Sequence, residues 1–160
     1  MGWMLLALPL ALYAVAVHVL RWPGVPKEHL VALFFALATA MPVIVRPSGP
    51  RFWIVPAMVA FGALCWLNCI AIARWERARS MDGVAFWTAN NFRLALALAI
   101  TLFAFLLPFQ APLAGACISG AAALLLLDVC RSSLDAVTLR ALADAALLTP
   151  LLLLPFLPAR

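Results

Sequence analysis

The chain has 160 residues, of which 68% are hydrophobic and only 11% charged, and its mean hydropathy is +1.11. A water-soluble fold of this length needs a polar coat that such a composition does not supply, so the chain reads as an integral membrane protein. The formal net charge of +5 and the pI near 9.7 then concern topology and anionic headgroups, and they give no reason to invoke nucleic acid.

Apolar runs, each near the roughly 20 residues that cross a bilayer, predict six spans at 3–20, 29–45, 52–73, 92–109, 112–129 and 141–157. These Leu/Ala-rich runs lack the strict alternation of a barrel strand, and in hydrocarbon every backbone amide must be satisfied within its segment. The expected fold class is therefore all-α, a polytopic helical bundle in which residues 1–160 form a single transmembrane domain.

No basic residue precedes the first span, so it lacks the charged start of a secretory signal peptide, and Arg21 behind it should hold its C-terminal end inside. Two readings stay open here: an outward-facing start, or a Met1 that is internal to a longer product. Pro23 and Pro26 follow this span, and Glu28 then suits the positive end of the second helix. Pro47 and Pro50 separate the second span from the third, and Pro108 and Pro112 bracket a tight hairpin between the fourth and fifth. Pro42, Pro56 and Pro150 lie within spans. No internal repeat is visible, and the longest polar interruption is 74–91.

Assigning the Lys and Arg residues to alternate sides puts Arg21, Lys27, Arg74, Arg77, Arg79, Arg93, Arg131 and Arg140 on one side and Arg46, Arg51 and Arg160 on the other. The positive-inside rule makes the richer side cytoplasmic. Loops 21–28, 74–91 and 130–140 then face the cytoplasm and both termini face outward, as in a multi-pass protein of a cell inner membrane. Trp3 and Trp53 near the outer boundary and Trp22, Trp75 and Trp87 near the inner one suit an aromatic belt.

Cys65 and Cys69 share a helical face and could ligate a soft metal with a third partner. There is no CxxC pair, however, and His18 and His29 lie on other helices, so these two, like Cys117 and Cys130, read as small residues at helix contacts. Ala116 with Gly120, and Gly62 with Cys69, read as close-packing patches. No GxSxG elbow, HExxH pair or phosphate-cradling glycine loop occurs, and Ser132 and Ser133 have no histidine in their loop.

Every acid (Glu28, Glu76, Asp82, Asp128, Asp135 and Asp144) falls on the inner side, so any polar site opens there. Asp144 follows Arg140 by four residues, and the two are expected to pair along one helix face, either within the membrane or at its boundary. Asn68, Ile72 and Glu76 are also spaced by four and stack on one face of the third helix, with Asp82 a little beyond. An amide in hydrocarbon needs a partner, so Asn68 should face the bundle interior or a hydrated cavity.

This pattern, a helix carrying Asn-x3-residue-x3-acid and then a basic loop, resembles the second signature of the UbiA superfamily of intramembrane prenyltransferases. The resemblance implies a fold of nine helices with a cytoplasmic N-terminus. Helices four to nine of it would have the topology that the charges predict for this chain, covering all of the chain and the latter two-thirds of a family member. It implies Mg²⁺ held by carboxylates and bridging the diphosphate of an isoprenyl donor, with nearby cations neutralising the pyrophosphate. Carried onto this sequence, the metal and diphosphate candidates are Asn68, Glu76 and Asp82, and the basic ones are Arg74, Arg77, Arg79 and Arg93. Ile72 stands where the signature has a carboxylate, Glu76 replaces the usual Asp, and the first Asp-rich signature has no counterpart. No catalytic residue is assigned.

Two functions are thus expected. One is a divergent or truncated UbiA-like prenyltransferase that binds a membrane or isoprenoid lipid and is inactive alone; the other is a small non-enzymatic subunit or scaffold that packs against partner membrane chains. On the first, Arg74, Glu76, Asn90, Asn91 and Arg93 should converge on a cavity together with the 77–82 loop, whereas on the second they should splay into headgroups and water. A transporter suits the sequence less, because there is neither a repeat nor a polar midplane residue.

Overall fold

The computed structural model describes residues 11, 15, 27–45, 54–76 and 83–148. The expected span at 3–20, the end of the sixth at 149–157, and the candidates Arg77, Arg79 and Asp82 lie outside the described residues. Every regular element among the described residues is helical: α1 (Lys27–Val45), α2 (Ile54–Trp75), α3 (Gly83–Asn90), α4 (Phe92–Phe105), α5 (Leu107–Cys130), a 3₁₀ turn (Arg131–Ser133) and α6 (Ala136–Ala146). The segments Val55–Trp75 and Leu107–Ser133 are long and apolar enough to cross a membrane, and α3 with α4 would make a third such segment but for a 93° bend between them.

The chain divides into two compact units, Met1–Trp66 and Leu67–Arg160. In the first, α1 meets the N-terminal part of α2 through small residues. A Cβ placed on Gly62 would lie 3.3 Å from Cβ of Ala36, which is the close approach expected of a glycine at a helix contact. The rings of His29 and Trp66 meet at 5.1 Å.

In the second unit α4 packs along α5, joined to it through Leu106. Phe92, Leu96 and Phe103 are buried on one face of α4, and Ala114, Cys117, Ala121, Leu124 and Asp128 on the facing stripe of α5. The small residues of α5 let the large ones of α4 interdigitate, which is the packing open to helices in a solvent as apolar as themselves. Ala116 and Gly120 are buried as the sequence predicts. Leu139, Ala143 and Ala146, on one face of α6, are buried in turn, and α6 packs on α5.

Three boundaries differ from the sequence reading. The hairpin between the fourth and fifth spans turns at Leu106, and the chain breaks again at Gln110 (φ −145°, ψ 60°), because Pro112 cannot donate to the carbonyl at Pro108 and so releases the first turn. Segment 74–91, expected as a loop, contains α3. The last helix begins at Ala136, five residues before 141, because Asp135 caps it: the carboxylate accepts from the amides of Val137 and Thr138, both at 3.1 Å, and from Thr138 Oγ1 at 2.6 Å.

Candidate functional site

The polar residues of the second unit gather where α2 ends, α4 begins and α5 ends. At the centre is Asp128, whose side chain is wholly buried. One oxygen accepts from Arg74 Nη1 at 2.8 Å and Trp75 Nε1 at 3.3 Å, the other from Arg93 Nε at 3.0 Å, and Arg131 Nη1 stands 3.7 Å away. The Arg74 guanidinium also lies over the Phe92 ring, 5.5 Å from its centroid, an attraction between cation and ring quadrupole. A lone carboxylate in such surroundings would be strongly disfavoured, and the arginines make its burial tolerable. Three guanidinium groups around one carboxylate leave two positive charges in excess, carried mainly by Arg93 and Arg131, whose side chains are 63% and 47% exposed.

Beside this clamp, two polar contacts link the end of α2 to α6. Asn68, 3% exposed, donates from Nδ2 to Oδ1 of Asp144 at 3.2 Å, and Arg140 donates to Glu76. The α2 partners are eight residues apart and the α6 partners four, and the long arginine side chain makes up the difference. The lengthwise pair expected of Arg140 and Asp144 is thus replaced by two cross-helix pairs. Asn68 and Glu76 lie on the one face of α2 that α6 meets, so each residue of the expected pair finds a partner across rather than along. Asp144 is exposed on the surface of the second unit. Asn68 Oδ1 is buried and has no hydrogen-bond partner among the described residues.

The sequence expectations for the site divide accordingly. Asn68 and Glu76 do share a face, and the amide does find a polar partner. Arg74 and Arg93 converge, but on a carboxylate of the protein itself, and Asn91 turns its side chain to the Trp87 carbonyl at 3.0 Å. Asp128 was legible only as one more inner-side acid; Arg131 at i+3 is its one local signal, since Arg74 and Arg93 come from 54 and 35 residues away.

Among the described residues, those that the UbiA-like pattern assigns to Mg²⁺ are turned to other partners. Glu76 is engaged by Arg140, Asn68 gives its N–H to Asp144, Ile72 offers no oxygen, and among the described residues no three His, Cys, Asp or Glu side chains group closely enough to hold a metal ion. The four cysteines form no disulfide. No family model, curated protein or solved structure matches the chain.

Proposed function

We propose that the chain is a multi-pass membrane protein of UbiA-like descent that holds a lipid and does not by itself carry out metal-dependent prenyl transfer. The observation that carries this reading is the engagement of Asn68 and Glu76 with α6. A carboxylate that bridges Mg²⁺ to a diphosphate must offer its lone pairs to the ion, and here a guanidinium competes for them. Lipid binding is supported by Asn68 Oδ1, a buried acceptor that a hydroxyl or a water would satisfy. Six spans, outward termini and cytoplasmic loops at 21–28, 74–91 and 130–140 in a cell inner membrane complete the proposal. The meeting of Arg74, Arg93 and Arg131 at one end of the helices suits that orientation.

The second reading, a non-enzymatic subunit of a larger membrane complex, is favoured by the exposed stripe Leu94, Leu98, Leu102 and Phe105 on α4, which suits acyl chains and partner helices equally. Binding of a prenyl diphosphate to the protein in nanodiscs, with and without Mg²⁺, tests the proposal, together with native mass spectrometry for retained lipid. Retained lipid and a prenyl diphosphate affinity indifferent to Mg²⁺ and to Glu76→Ala are expected. Mg²⁺-dependent binding that Glu76→Ala abolishes would restore the transferase reading, and a lipid-free protein would favour the subunit.

A further inference from the structure

The short helix α3 belongs to no predicted span, and its exposed face is made of large apolar residues. Phe86 and Trp87 are 60% and 55% exposed and Val84 is exposed beside them, while the opposite face, Ala85, Thr88 and Ala89, is buried. Water would penalise such a face. The bend that separates α3 from α4 falls at Asn91 (φ −106°, ψ 31°), whose backbone N–H and side-chain Nδ2 both donate to the Trp87 carbonyl at 3.0 Å, while its own carbonyl accepts from Ala95 at 2.9 Å.

The direction of α3 follows from its neighbours. α4 turns back at Leu106 and runs antiparallel to α5, with Arg93 beside Asp128 at the far end, and α5 lies in a segment long enough to cross a membrane. If that pair stands along the bilayer normal, a helix bent 93° from α4 lies in the membrane plane. It lies at the level of the arginine clamp, whose excess positive charge sits on the half-exposed Arg93 and Arg131. Beyond the bend, Leu94, Leu98 and Leu102 of α4 are exposed as well. An in-plane helix with a tryptophan and a phenylalanine outward and cations beside it has the composition of an interfacial anchor.

We infer that α3 is a membrane-surface helix that inserts Phe86 and Trp87 just below the headgroups of an anionic phospholipid leaflet, with Arg93 and Arg131 meeting the phosphates. The inference rests on the membrane-spanning reading of α4 and α5, and the experiment separates the two. The full chain is placed in nanodiscs of anionic phospholipid brominated either near the headgroup or near the chain end. The Trp87 signal is taken as wild type minus Trp87→Phe, and a depth marker as Leu98→Trp minus wild type. Bromines near the headgroup should quench Trp87 more strongly than those near the chain end, and the Leu98→Trp signal should show a clearly deeper profile. Trp87 quenched most by chain-end bromines would make α3 a re-entrant segment, and Trp87 quenched by aqueous iodide but by neither lipid would place it in water; both overturn the inference and leave the spans standing. A Leu98→Trp signal that no brominated lipid quenches would remove the spans and the inference with them.

Discussion

Asp128 is the residue on which the most charge depends. Removing its carboxylate leaves three guanidinium groups facing one another, yet Arg93 and Arg131 are exposed enough to hydrate, so the cost falls mainly on Arg74. Breaking a fully buried ion pair costs about 3–5 kcal/mol, and Asp128→Ala should therefore lose roughly 2–3 kcal/mol, read as a lower apparent Tm of the protein in detergent. Arg93→Gln should cost much less, because the remaining donors still satisfy the carboxylate; equal losses in the two variants would contradict the clamp. The Glu76–Arg140 pair, its side chains 36% and 57% exposed, belongs to a weaker class, and Glu76→Gln should change stability by under about 1 kcal/mol. Asp135 shows the pH dependence of a cap. The hydrogen bond from the Thr138 side chain, then that from the Thr138 amide, lowers its carboxyl below the ordinary 3.8. A lowered folded-state value means stabilisation that is present above 3.8 and lost as the pH falls through the folded-state value. Hydrogen exchange at the Val137 and Thr138 amides should accordingly speed up, relative to mid-helix amides, only in that acid range, and Asp135→Ala should abolish the dependence.

At the scale of elements, small residues decide which helices approach. Gly62 is the clearest case, because any side chain there meets Ala36 at the limit of contact. Gly62→Leu should force α1 from α2 and cost about 1–3 kcal/mol, seen as a lower apparent Tm, whereas Gly62→Ala, whose Cβ needs Ala36 to give by only a few tenths of an ångström, should cost less. The helical nature of these segments and their apolar faces were legible in the sequence, since long Leu/Ala runs admit little else in hydrocarbon. Their ends were less so. Asp135 followed by Thr138 is a local capping pattern that marks the start of α6, whereas α3 is too short to carry a period of its own and was hidden in what read as a polar loop. The break at Gln110 lies within the expected hairpin, but which residue leaves the helix depends on how α4 closes on α5.

For the whole molecule, orientation is the testable consequence of charge. With the arginine-rich end inside, a reporter that fluoresces only in the cytoplasm should be bright when fused after Ser133 and dark when fused after Gln110; the opposite pattern would invert the topology. The composition alone pointed to helices apolar enough to cross a membrane, because 68% hydrophobic residues leave too few polar groups to coat a soluble fold and a helix satisfies its own backbone in hydrocarbon. It also determined that Asn68 needs a partner. The tertiary structure alone decided which partner that is, and likewise that Arg74, Trp75 and Arg93 close on Asp128, while Arg140 and Asp144 turn from each other to Glu76 and Asn68. Such pairings join residues 35 to 76 positions apart. Local periodicity reports which face of a helix is polar, but only the packing of one helix on another fixes what that face meets.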